Sequence, residues 1–164
     1  MTKVDIRRAK PSDSEQIFEI YRPIVEGTVI SFEITPPSIE LISSRIASTL
    51  KTHEWLVAES GNEIVGYTYA TQYRSRQAYR RSTETTVYVH QDHRSQGVGR
   101  SLYLALFESL ISRGFRQAYA GIALPNEGSI ALHEALGFER IGVFKEAGFK
   151  FDGWHDVLWL QRRV

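Results

Sequence analysis

Apolar residues recur along the chain with two different periods, and the changes between them divide it into elements. Val4 to Ala9 alternates as a first strand. Ile17, Phe18, Ile20, Tyr21, Ile24 and Val25 then form a helical stripe, with Ser12 or Asp13 as its cap and Glu15 in its first turn. Gly27 and a β-rich stretch, Thr28 to Phe32, interrupt that pattern. Pro36-Pro37-Ser38 opens a second helix through Leu41, Ile42, Ile46 and Leu50. Trp55–Ala58 and Ile64–Ala70 flank Ser60-Gly61-Asn62 and predict an antiparallel hairpin. Thr83 to Val89 is another strand, followed by a glycine-rich turn and a helix through about Ser112 that Gly114 ends. Gln117 to Ala123 is the next strand, and the order strand, helix, strand predicts a locally parallel pair. A helix over Glu127 to Leu136 stops at Gly137. Two last strands, Glu139 to Phe144 and Trp154 to Leu160, enclose Gly148 to Gly153. The sequence therefore predicts one mixed α/β domain over residues 1–164, with no repeat or linker.

The turn after the fourth strand carries the clearest chemistry. His93-Arg94-Ser95-Gln96-Gly97-Val98-Gly99-Arg100 leads from a strand into a helix. Such a turn aims free backbone N–H groups at one spot, where the helix dipole also favours negative charge. Arg94 and Arg100 add full charges, so the turn suits a pyrophosphate. A dinucleotide fingerprint would need a third glycine, and an ATPase-type phosphate loop would need Gly-Lys-Ser/Thr; neither is present.

Composition narrows the partners. Net charge is +1 and no Lys/Arg block forms a nucleic-acid arm; the densest run, Arg74 to Arg81, carries aromatics and precedes a strand. There is no cysteine, which removes disulfides, thiol nucleophiles and thiolate metal sites. The five histidines show no metal-ligand spacing, so no metal is expected. Residues 1–6 lack a signal-peptide pattern and no stretch is long enough to span a membrane, so the expected location is the cytoplasm.

The order of elements and the motif Arg-x-x-Gly-x-Gly resemble the GNAT family of N-acetyltransferases over nearly the whole chain. Leu124-Pro125-Asn126 to Leu136-Gly137-Phe138 looks like that family's Asn-led helix ending in Leu-Gly-Phe. Five blocks look like the phosphinothricin acetyltransferase subfamily, whose relatives also acetylate methionine sulfoximine and sulfone. They are Ser31-Phe32-Glu33, Glu84 to Val89, His133 to Phe138, Ala147 to Lys150 and Gly153 to Asp156. The resemblance implies a mostly antiparallel twisted sheet with a splayed parallel pair, flanked by helices, and acetyl-CoA as co-substrate. Carried over, Val87, Tyr88 and Val89 pair with the pantetheine arm, and Arg94, Ser95, Gln96, Gly97, Val98, Gly99 and Arg100 hold the pyrophosphate. Asn126 and Ser129 lie along the same arm. Asn126 also suits an ordinary helix cap, and Arg94 and Arg100 taken singly suit solvated surface charges.

Acetylating an amine needs a base for the ammonium, a stabilised oxyanion and a proton for the departing thiolate. Glu84 matches the subfamily's general base and needs a raised pKa to work near neutrality. Its other reading is a solvated strand-end charge. His133 stands where relatives carry a tyrosine taken as the thiolate's acid, although a helical histidine also serves as a hydrogen-bonded packing residue. The hydroxyl of Tyr88 faces either the splay or the core. For the substrate side the candidates are Phe32, Glu33, Arg74, Tyr79, Arg80 and Lys150. These side chains suit a small zwitterionic amino acid with an anionic or strongly polar tail. The expected reaction is direct acetyl transfer to the α-amine of L-phosphinothricin, with L-methionine sulfoximine or sulfone, or another amino acid, as alternative. A peptide N-acetyltransferase and a non-catalytic acyl-CoA-binding regulator are the remaining rivals. A homodimer is implied by resemblance.

Overall fold

The computed structural model describes residues 4–164; residues 1–3 of the expected domain lie outside that range. Strands β1 (Asp5–Arg8), β2 (Trp55–Ser60), β3 (Glu63–Gln72), β4 (Ser82–Val89), β5 (Gln117–Ala123), β6 (Glu139–Lys150) and β7 (Gly153–Arg163) form one sheet. Its order is β1-β2-β3-β4-β5-β7-β6. Four helices flank it: α1 (Ser14–Gly27), α2 (Ile39–Thr49), α3 (Val98–Ser112) and α4 (Glu127–Ala135). All neighbouring strands are antiparallel except β4 and β5. Among the described residues no helix is long and apolar enough to cross a membrane.

Alternation in the central strands feeds two cores. Leu102, Tyr103, Leu106 and Leu110 of α3 bury their side chains against Val65, Ala118 and Leu160 on one face. Ile17, Val25, Ile42 and Ile46 of α1 and α2 pack against Val57 and Tyr67 on the other. Gly66 permits the close seating of α3, since a Cβ there would meet the Tyr88 carbonyl and the side chains of Leu102 and Val98 at 3.1–3.2 Å.

The feature that positions the site is the parallel pair. β4 and β5 are in register only over Ser82–Glu84 and Gln117–Tyr119. Beyond Glu84, β4 stays paired with β3 as far as Val89, and β5 stays paired with β7 as far as Ala123. The two strands part, leaving the β5-facing edge of β4 without a strand partner.

Three local expectations are corrected. Thr28–Phe32 is a loop: Thr28 closes α1 by donating to the Ile24 carbonyl at 2.6 Å, and Ser31 is held by the Tyr21 hydroxyl at 2.6 Å. β6 runs past Phe144 through a register shift to Lys150, and the hairpin turns at Phe151 and Asp152, both left-handed. Asp13 precedes α1 without a side-chain cap bond; its carboxylate accepts from Arg7 and from the Lys10 N–H.

Glu54, 6% exposed, joins three elements. One oxygen accepts from Arg8 of β1 and from the Trp55 N–H, and the other from Ser109 of α3 and from Arg113. Burial pushes its pKa up, but the bonds from Ser109, Arg8 and the Trp55 N–H outweigh this and hold the carboxyl below its ordinary value. Its stabilisation is therefore full at neutral pH and lost as pH falls through the depressed pKa. Glu54→Ala is expected to cost about 2–4 kcal/mol in urea unfolding at pH 7 and to flatten the acid limb of the stability–pH curve.

Candidate active site

The glycine turn folds as its sequence requires. Ser95 and Gly97 are left-handed, at φ 58° and 85°, and Gly97 caps α3. A Cβ on Gly99 would lie 3.1 Å from the Leu132 side chain, so glycine lets α3 start close against α4 and β4. At α4 the Asn126 side chain accepts the Ser129 N–H at 3.1 Å, an N-cap. The two helix N-termini thus converge on one cavity of about 410 Å³. Val87, Tyr88, Val89, Arg94, Ser95, Gly97, Val98, Gly99, Arg100, Asn126 and Ser129 all line it. Gln96 alone of the expected set does not; its amide donates to the Asp92 carbonyl. His93 also lines this cavity and was not foreseen: its Nδ1 is buried without a hydrogen-bond partner among the described residues. Its place directly before Arg94 at the start of the glycine turn was the available signal.

A second cavity, of about 340 Å³, fills the splay. Its wall includes Glu84, Thr86 and Tyr88 of β4, Gly121 and Ala123 of β5, Trp159 of β7, and Phe32. Asn126 and Ser129 line both cavities and so mark where they join. Glu84 sits at the last paired position of β4, opposite Tyr119. No side chain hydrogen-bonds its carboxylate among the described residues. Burial raises its pKa above the ordinary value, against the opposing pull of Arg74.

His133 reaches the same cavity but is 3% exposed and engaged at both nitrogens. Nδ1 is 2.7 Å from the Ser129 carbonyl and Nε2 is 2.9 Å from the Tyr103 hydroxyl. A carbonyl can only accept, so the proton is on Nδ1, and neutral Nε2 accepts from Tyr103. Burial lowers the pKa of the imidazole, in spite of the Ser129 bond. Tyr88 packs against Tyr21 and Tyr67, with ring centroids 5.2 and 5.4 Å away, and burial keeps its phenol protonated.

The expected substrate residues separate. Phe32 lies on the cavity wall over Gly148, where a Cβ would overlap its ring. Glu33 is committed elsewhere: both oxygens accept from Arg45, and Tyr21 donates to it at 2.5 Å. The Arg45 bonds, with help from Tyr21, hold its pKa down against burial. Lys150 is buried, its Nζ donating to the carbonyls of Val25 and Ser31 at 2.6 and 2.8 Å. It tethers the tip of the β6–β7 hairpin to the end of α1 and lines none of the cavities described. Burial lowers its pKa. Arg74 stacks on Tyr73 and faces Glu84 only through its field, whereas Tyr79 and Arg80 are exposed and outside the cavities. No group of three or more His, Cys, Asp or Glu side chains among the described residues could hold a metal ion.

A sheet splayed at one carboxylate, with two helix N-termini facing the opening, is the architecture of an acyl-transferring enzyme. The chain belongs to the GNAT family of acetyltransferases: residues 6–159 match the acetyltransferase (GNAT) domain. It is 36% identical over 159 residues to the phosphinothricin N-acetyltransferase of Streptomyces viridochromogenes, covering 97% of this chain and 87% of that protein. It is 32% identical over 160 residues to the L-methionine sulfoximine/L-methionine sulfone acetyltransferase of Salmonella typhimurium, covering 97% and 94%. The structure superimposes on a phosphinothricin acetyltransferase from Sinorhizobium meliloti in complex with acetyl-CoA with a TM-score of 0.94. That alignment is 37% identical and covers 100% of this chain and 89% of the other.

Because burial depresses its pKa, His133 should titrate below an exposed histidine, with the proton of its neutral form on Nδ1. Long-range ¹H–¹⁵N correlation of the imidazole through a pH titration checks this. An Nε2-protonated ring, or a midpoint at or above the ordinary value, contradicts it.

Proposed function

We propose that the protein transfers the acetyl group of acetyl-CoA directly to the α-amine of a free amino-acid-like acceptor, with Glu84 as general base. The acceptor is L-phosphinothricin or, as the alternative, L-methionine sulfoximine or sulfone; proteins with these names are similar along nearly the whole chain. The observation that carries the reading is the place of Glu84: a half-buried carboxylate with a raised pKa at the point where β4 leaves β5.

The chain's own groups suit acetyl-CoA, which supplies an activated acetyl thioester. Backbone N–H groups at the starts of α3 and α4, with Arg94 and Arg100, favour a pyrophosphate in the 410 Å³ cavity. The open edge of β4 at Val87, Tyr88 and Val89 offers amide donors and acceptors to a peptide-like arm and a donor to a thioester oxygen. Glu84 attracts the acceptor's ammonium and takes one proton; the freed amine attacks the thioester carbonyl, the C–S bond breaks, and the departing thiolate takes the second proton lost by the attacking nitrogen. Arg74, the cation whose field reaches Glu84, suits the acceptor's α-carboxylate. His133 holds the Tyr103 hydroxyl in place as a positioning residue, because its one N–H is already given to Ser129.

Glu84→Gln is expected to lower kcat about 10²-fold or more while acetyl-CoA binding changes less than about twofold. In the wild type, kcat/KM should rise with pH through an ionisation above the ordinary glutamate range, and the variant should lose that limb. The assay is coenzyme A release with phosphinothricin, methionine sulfoximine, methionine sulfone, ordinary amino acids and a short peptide. Acetyl-CoA binding without turnover of any acceptor would make the protein a regulator; turnover of the peptide alone would make it a peptide N-acetyltransferase.

The same reading includes a homodimer in the cytoplasm. Its support is the outer β6–β7 hairpin, where Ile141, Phe144, Phe149, Phe151 and Trp154 are each 54–60% exposed. The wild type should sediment as a dimer at micromolar concentration, and Phe149→Glu with Trp154→Glu as a monomer. A monomeric wild type refutes the dimer.

A further inference from the structure

A third cavity lies on the other side of Glu84, between the sheet and the α1–α2 pair, and has no part in the scheme above. It encloses about 300 Å³. Strand register builds its floor: Trp55 pairs with Tyr69, Tyr69 with Thr86, and Thr71 with Glu84, so these side chains share one face of the sheet. Trp55 stacks on Tyr69 at 4.3 Å and 21°, and Tyr67 continues the row, 6.3 Å from Tyr69 and at 11° to it. Arg45 and Thr49, one turn apart on α2, form the opposite side. Tyr69, Glu84 and Thr86 line both this cavity and the splay, so the two meet at the Glu84 carboxylate.

The charges in this space are few. Arg45 and Glu84 are the Lys, Arg, Asp or Glu residues on its wall, and the splay wall adds none. Both terminal nitrogens of Arg45 are bonded to Glu33, at 3.0 and 2.6 Å, so the arginine arrives neutralised. The other polar groups on the wall are uncharged: threonine and tyrosine hydroxyls, and the indole Nε1 of Trp55, which is buried with no hydrogen-bond partner among the described residues. An anionic tail would give up its hydration against aromatic faces and beside a carboxylate, without a spare cation. A neutral, polarisable tail gains by packing on those faces.

We infer that this cleft seats the acceptor's side chain and selects uncharged, polarisable tails, such as a sulfone, sulfoximine or thioether, over an anionic phosphinate. This rests on the amino-acid reading above and favours its alternative acceptors over L-phosphinothricin. Tyr69, Thr71 and Thr49 are then specificity-determining residues.

The test compares L-methionine sulfone with L-phosphinothricin in the wild type and in Thr49→Phe, which fills the cleft from the helix side. The wild type should prefer the sulfone at least about tenfold in kcat/KM, a discrimination typical of one well-fitted side-chain contact. Thr49→Phe should raise the sulfone KM about tenfold or more, with the acetyl-CoA KM unchanged within about twofold. Thr71→Val, which keeps the volume, should raise the same KM severalfold and covers the case in which Thr49→Phe does not fold. Equal or better use of phosphinothricin by the wild type, or an unchanged sulfone KM in the folded variants, overturns this inference and leaves the acetyltransfer reading standing. A wild type that binds acetyl-CoA and acetylates no amino acid overturns the underlying reading and the subsite together.

Discussion

The structure depends on a sheet interaction that stops early. β4 and β5 share three residue pairs and then separate, while β4 stays paired with β3 and β5 with β7 to their ends. Unpaired backbone inside a fold is costly, so such an edge persists only beside a cavity or a partner. Here it borders the splay. The end of the pairing also determines where Glu84 stands: one residue earlier, its side chain would face the opposite side of the sheet; further along, it would have left the junction of the cavities.

The turn after β4 completes what the splay begins. A left-handed Gly97 and the missing side chain of Gly99 bring the first turn of α3 against α4 and the open strand. Two helix N-termini then face the space that β4 and β5 leave, with arginines at one rim. Strand geometry provides the slot and helix geometry provides its polarity.

Around this space most strong charges are already spent. Glu33 is bound by Arg45 and Tyr21, Glu54 by Arg8, Ser109 and Arg113, and Lys150 by two carbonyls. These bonds hold the α1–α2 loop, the sheet and the β6–β7 hairpin in fixed relation, and Lys150 thereby sets the position of Ser31 and, beside it, Phe32. Glu84 differs in kind: its carboxylate has burial without a hydrogen-bonding side chain, the environment that raises a carboxyl pKa and prepares it to take a proton.

Local chemistry was readable from the sequence wherever a few adjacent residues dictate the backbone. Short apolar runs between turn residues placed β2 to β5, helical stripes placed α1 and α2, Gly137 marked the end of α4, and Gly97, Gly99 and Asn126 announced the two helix starts, because periodicity, φ preference and capping act over a few residues. Of the turn residues expected there, Gln96 does not line the cavity, whereas His93, not among them, does. Tertiary structure decided what each charged side chain was for. Lys150 and Glu33 look like substrate groups in sequence, yet long-range partners, a carbonyl of Val25 and the guanidinium of Arg45, claim them. The loop at Thr28–Phe32 has strand-forming residues but no strand to pair with, and the length of β6 depends on β7 beside it. The cleft behind Glu84 exists only because register across three strands aligns Trp55, Tyr69 and Thr86 on one face. Pairing and burial are properties of chain segments brought together from afar, and no local pattern encodes which partner arrives.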